Sequence, residues 1–241
     1  MDHERIRYDC SWPSGSRYVQ GPKLIIPSPL TKNFQGLWRH PDQEKQTLDH
    51  WVRLAKFLDD NGFHGLFFAD VLGIYDVYKG DGPALQSGAQ VPILDISLLV
   101  SAMAYATKNI SFGITASTTY ENPYSLARKF ATLDHITDGR VGWNIVTSYL
   151  ESAAKSFGLE KGIEHDERYK IADEFLDVVY KLLEGSWQED AVEADKQKGV
   201  WTNPDKVRKI DHVGYVFSFI SITSCAKTAI GSTSSALAQA S

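Results

Sequence analysis

With 241 residues, 43% of them hydrophobic and 23% charged, the chain has an ordinary globular composition and is long enough to bury a sizeable core. A formal net charge of −5 supplies no basic surface for nucleic acid or an acidic membrane. The sequence has no membrane-length apolar run, and its start, Met1-Asp-His-Glu-Arg, lacks the order of a signal peptide. Cys10 and Cys225 lie near opposite ends and form neither a metal motif nor a disulfide framework, which predicts a cytoplasmic protein in a reducing compartment.

Residues 1–35 are loop-like, with a Ser-Trp-Pro-Ser-Gly-Ser stretch and a strand signal only at Lys23–Ile26. Further on, Leu48, Trp51, Val52, Leu54, Ala55 and Leu58 recur at helical spacing, and Asn61-Gly62 supplies a left-handed stop. Phe63–Ala69 is a short apolar run ending in Asp70, as expected of a strand buried on both faces. A second unit runs from a helix capped by Asp95 through Lys108 to a strand at Ile110–Thr119. The third takes a helix at Asn122–Thr137 through Asp138-Gly139 into a strand at Arg140–Ser148. Tyr149–Phe157 and Asp166–Leu183 read as helices, the second with Ile171, Phe175, Val178, Val179 and Leu182 as its apolar stripe.

Alternating strands and helices with buried strands imply a parallel sheet with right-handed crossovers. An open dinucleotide-binding sheet would carry G-x-G-x-x-G after its first strand, and none is present. The strands end instead in Asp70, Ser117-Thr118-Thr119, Asn144 and Thr147-Ser148. Polar groups at the carboxyl ends of parallel strands are where a (β/α)₈ barrel keeps its site. The expected fold is therefore a barrel, and since only three or four βα units are legible, an incomplete one.

At those strand ends, Asp70 can accept hydrogen bonds from a ligand's N–H or O–H groups, or cap the loop that follows. Ser117, Thr118 and Thr119 offer hydroxyls that also suit turns. Alternation sends Asn144 and Ser148 to one side of their strand and Thr147 to the other. His165 and Tyr169 share one face at the start of the long helix, where free N–H groups can favour an anion. The competing reading there is an N-terminal cap with solvated charges. Gly113, inside a strand, leaves space for a ligand to approach. No metal motif, G-x-S-x-G elbow or Walker loop occurs.

Six strings stand in order: Gly36-Leu-Trp-Arg-His-Pro41, Gly65-Leu-Phe-Phe-Ala-Asp-Val-Leu-Gly-Ile-Tyr-Asp-Val-Tyr78, Gly139-Arg-Val-Gly-Trp-Asn-Ile-Val-Thr-Ser148, His165-Asp-Glu-Arg-Tyr169, Ala172-Asp-Glu-Phe175 and Leu183-Glu-Gly-Ser-Trp187. Together they resemble the flavin-dependent monooxygenases grouped with nitrilotriacetate monooxygenase component A. That branch of the bacterial-luciferase-like superfamily includes dibenzothiophene-sulfone and long-chain alkane monooxygenases. The resemblance implies a (β/α)₈ TIM barrel that binds FMN at the carboxyl ends of its strands. It implies reduced FMN supplied by a separate NAD(P)H-dependent flavin reductase, O₂ as co-substrate, insertion of one oxygen atom into a small organic substrate, and a homo-oligomer. By motif position, Asp70, Ser117, His165 and Tyr169 match flavin contacts, and Asn144 and Ser148 match positions lining the same pocket.

The resemblance covers residues 36–214, leaving 1–35 as a divergent segment and 215–241 as a non-matching, low-complexity tail. The abrupt change after Gly214 is expected to reflect intron read-through, a frameshift or a truncated gene. A transcript continuous through that junction and ending at Ser241 would contradict this. The alternative function is a non-catalytic barrel remnant with weak or no flavin binding.

Overall fold

The computed structural model describes residues 24–25, 47–89, 91 and 93–221. The readings on residues 36–41, on Cys10 and Cys225, and on the tail beyond Ser221 fall outside them. The strand signal at Lys23–Ile26 corresponds to β1 (Leu24–Ile25). Thr47 then accepts the His50 N–H to open α1 (Leu48–Asp60), which buries Trp51, Ala55 and Leu58. Asn61 and the left-handed Gly62 close it, as the sequence predicts. After β2 (Gly65–Phe68) and the short α2 (Gly82–Ser87), Asp95 accepts the Ser97 N–H and starts α3 (Ile96–Tyr105).

Next come β3 (Ser111–Ser117) and α4 (Pro123–Thr137), the helix being capped by Asn122 and begun by Pro123. Asp138 and Gly139, both left-handed, turn the chain into β4 (Val141–Val146). Two further helices follow, α5 (Glu151–Ser156) and α6 (His165–Gly185). The α6 stripe runs through Ala172, Phe175, Val178, Val179 and Leu182, with Ala172 buried where Ile171 was expected and Ile171 only half-buried.

All four strands pair in parallel in the order β1-β2-β3-β4. A sheet that adds each new strand on the same side is winding a barrel, whereas a doubly wound sheet reverses its order. The architecture is part of a parallel βα barrel, as expected.

Strand alternation sorts the side chains into two layers. Leu66, Phe68, Phe112, Ile114, Val141 and Trp143 face the helices and form the core with Trp51, Val100, Leu126 and Phe175. Trp143 lies between the rings of Phe130 and Phe175, at 5.6 and 6.1 Å, and its indole N–H donates to the Ala116 carbonyl. The other layer, on the barrel-interior side, carries Phe67, Gly113, Thr115, Ser117 and Asn144.

Polar clamps bind the amino ends of the strands. The Asp59 carboxylate accepts the N–H groups of Lys108, Asn109 and Ile110 at 2.8–3.0 Å. The Arg140 guanidinium donates to the carbonyls of Ala104, Ile110 and Thr137 and to the Thr107 hydroxyl. Beyond α6 the sequence offers no helix–strand alternation, and the structure has two antiparallel hairpins there. These are β5 (Val192–Asp195) with β6 (Val200–Thr202), and β7 (Ile210–Val213) with β8 (Ser218–Ser221). Glu174 of α6 fastens the second hairpin by accepting the N–H groups of Val216 and Phe217 and bonding His212 Nε2.

Candidate functional site

The carboxyl ends of β2 and β3 open into a cleft of about 540 Å³. Its lining includes Asp70 and Gly73 from the loop after β2, Asp95 at the head of α3, Ser117 from β3, Ser148 just after β4, and Ser152 from α5. A volume of this order suits a small molecule or part of a cofactor. Among the described residues no group of three or more His, Cys, Asp or Glu could hold a metal.

Asp70 lies two residues past the end of β2, half-buried in the cleft. Burial pushes its carboxyl up to about 6; the Asp95 carboxylate adds to the rise, while the Val71 N–H and Lys129 oppose it. The group is thus an acceptor whose charge is poorly solvated, one that a ligand N–H or O–H would relieve.

Ser117 is 2% exposed and its hydroxyl oxygen accepts twice, from the Thr119 N–H at 3.1 Å and from the Ser148 hydroxyl at 2.8 Å. Its own proton is therefore the spare donor of the pair. An acceptor at Asp70 and a donor at Ser117 on neighbouring strand ends complement a ligand edge that carries both N–H and C=O. Asn144 points to the same side and donates to Thr115 Oγ1 at 2.9 Å, and Thr115 lines the cleft. Here Asn144 supports the cleft wall.

His165 and Tyr169 stand apart from these residues. Their rings lie 4.9 Å apart on α6, His165 Nδ1 contacts Asp166, and Tyr169 is 53% exposed. Two of the N–H groups expected to be free at the start of α6 are occupied: the Glu164 carboxylate accepts from Asp166 and Glu167. A glutamate is an uncommon N-cap, which is why the sequence did not signal it. That end of the helix is capped by a carboxylate and acidic, with Asp166 and Glu167 in its first turn.

The space above Gly113 is also filled, because a Cβ there would lie 3.0 Å from the Phe67 ring. Its missing side chain serves packing between β2 and β3. Gly73, by contrast, is held by a lack of space. A Cβ at Gly73 would meet Ser152 Oγ at 2.5 Å and the Ala153 backbone N at 2.6 Å, and the Ser152 hydroxyl donates to the Ile74 carbonyl. This close approach of loop and α5 shapes the cleft. Its only sequence signal is a glycine inside the string that begins at Gly65.

Residues 30–212 match the luciferase-like monooxygenase family. The chain is 50% identical over 186 residues to the long-chain alkane monooxygenase of Geobacillus thermodenitrificans strain NG80-2, covering 76% of this chain and 42% of that protein. It is 49% identical over 183 residues to the dimethyl-sulfide monooxygenase of Hyphomicrobium sulfonivorans, covering 74% and 38%. Among solved structures, a riboflavin lyase with modified FMN and riboflavin superposes with a TM-score of 0.76 at 37% identity, over 86% of this chain and 46% of its own. The chain spans under half the length of each of these relatives.

Proposed function

The chain belongs to the luciferase-like monooxygenase family, and from that premise we propose that it binds reduced FMN in the strand-end cleft as part of a two-component monooxygenase. The flavin comes from a separate NAD(P)H-dependent reductase, O₂ is the co-substrate, and one oxygen atom enters a small organic substrate. The protein works in the cytoplasm as a homo-oligomer. The observation that carries this reading is the cleft itself, which unites Asp70, Ser117 and Ser148.

The residues present fit the cofactor. Asp70 would supply an acceptor for a flavin N–H, and Ser117 would supply a donor for a flavin carbonyl. Ser148 completes the hydroxyl pair and Asn144 braces the wall through Thr115; His165 and Tyr169 do not line the cleft, and their assignment to the flavin rests on their place in the family motif. When bound, reduced FMN supplies the electrons with which O₂ gives one atom to the substrate and the other to water. The chain's own part is to orient the flavin and exclude water from it.

Equilibrium dialysis of the full chain against reduced FMN under anaerobic conditions tests the binding step. Retention near stoichiometric supports the reading, and no retention overturns it. Incubation with the reductase, ¹⁸O₂ and a panel of alkanes, sulfides and sulfones then tests turnover. The described parallel sheet has four strands and walls the cleft from one side. That favours a second reading, flavin binding without turnover, which retention without ¹⁸O incorporation would support.

A further inference from the structure

Every backbone and side-chain polar group of Ser148 is engaged by a different residue. Its N–H donates to Thr119 Oγ1 at 3.3 Å, its hydroxyl donates to Ser117 at 2.8 Å, and its carbonyl accepts from Arg168 Nη1 at 2.6 Å. Arg168 is an unusual partner. It is 9% exposed, its Nε has no hydrogen-bond partner, and no carboxylate pairs with it among the described residues. A buried guanidinium ordinarily pairs with a carboxylate, because an unpaired buried charge is expensive. Among the described residues its guanidinium bonds the Ser148 carbonyl, a charge-assisted and correspondingly strong hydrogen bond.

Arg168 is also well anchored. Its own N–H donates to the Glu164 carbonyl in the first turn of α6, a helix of 21 residues whose buried stripe packs into the core. Ser148, by contrast, lies past the end of β4, where no strand pairing holds it. Without Arg168, two neutral hydrogen bonds would be left to place it.

Resting on the flavin reading above, we propose that Arg168 is a positioning residue: it grips the Ser148 carbonyl and thereby fixes the Ser148–Ser117 hydroxyl pair so that the spare Ser117 proton faces the cofactor. It acts through Ser148 without touching the ligand. Arg168→Met then weakens FMN binding because Ser117 loses its aim.

The test is a double-mutant cycle on the full chain, with affinity for reduced FMN read by anaerobic equilibrium dialysis. Arg168→Met alone should weaken binding roughly tenfold, Arg168→Lys should restore part of the loss, and Ser117→Ala alone should weaken it several-fold. In the Ser117→Ala background, Arg168→Met should cost nothing further, because the group it positions is gone. Additive losses, or an unchanged affinity in Arg168→Met, overturn the proposal, since a merely structural arginine gives additivity. Should the arginine variants fail to fold, NMR of the wild type decides: the Arg168 guanidinium protons must be protected from exchange and must shift when FMN is added. Free exchange overturns the proposal. Failure of the wild type to bind FMN is a different result and defeats the flavin reading itself.

Discussion

Burial raises the Asp70 carboxyl to about 6 from its ordinary 3.8, with the Asp95 carboxylate adding to the rise. Between those two values the folded chain holds a proton that the unfolded chain has released, so stability falls as pH rises through that window. Asp70→Asn cannot ionise and escapes the fall. It should be more stable than the wild type at pH 8, by about 1 kcal/mol after discounting for partial exposure, and no more stable near pH 4. Urea midpoints at the two pH values check this, and a gain of equal size at both would refute the assignment. Binding runs the opposite way, because the ionised carboxylate is the better acceptor: FMN affinity should show a rise with pH through about 6 in the wild type that Asp70→Asn lacks. At Gly73 the constraint is space. A methyl group would press on the backbone of Ala153 as well as on the Ser152 hydroxyl, and backbone cannot swing aside. Gly73→Ala should cost about 1–3 kcal/mol and weaken FMN binding as the loop lifts from α5, both measurable in one thermal-shift titration.

Between elements, the cross-links hold the βα units in register. The Asp59 carboxylate at the end of α1 collects three N–H groups from the turn between α3 and β3. Although burial alone would push it up, those bonds hold its pKa below the ordinary carboxylate value. Its contribution is therefore present above pH 3.8 and lost as pH falls through the depressed folded value. Asp59→Ala should cost about 1–3 kcal/mol at neutral pH, with the penalty vanishing at the acid end; a pH-independent penalty would refute the charge argument. Clamps of this kind were not legible in the sequence, since Asp59 reaches 49–51 residues along the chain to partners that nothing local announces. The elements they join were legible. Trp51, Ala55 and Leu58 repeat at helical spacing because one face of α1 is buried, and Gly62 and Asp138-Gly139 stop helices where a left-handed residue is needed. The first hairpin was not, because β5 and β6 are short and largely exposed, and a strand with no buried face writes no alternation; β7 does alternate, with Ile210 and His212 buried, but over only four residues. The site was half legible: polar strand ends pointed to Asp70, Ser117 and Ser148, whereas the pairing of Ser148 with Ser117 and Arg168 depends on how α6 returns to β4.

Across the whole molecule, the two ends of the sheet do different work. Arg140 and Asp59 lock the amino ends of the strands with bonds that are complete within the chain. The carboxyl ends are left with a poorly solvated carboxylate, a spare hydroxyl proton and a cleft of about 540 Å³. A ligand seated there would touch the loop after β2, the head of α3, the end of β3 and α5 at once, and so tie these segments together. Because those segments come together only in the folded chain, flavin should bind the native state alone, and folding stability must then rise with flavin concentration. At a hundred times the dissociation constant the gain is about 2.7 kcal/mol. For a chain of this size that raises the melting temperature by roughly 5–10 °C. Asp70→Asn and Gly73→Ala should both reduce the shift, each through its own part of the cleft, whereas Asp59→Ala should lower the starting temperature and leave the shift intact. A melting temperature indifferent to flavin at any concentration would refute flavin binding at the strand ends.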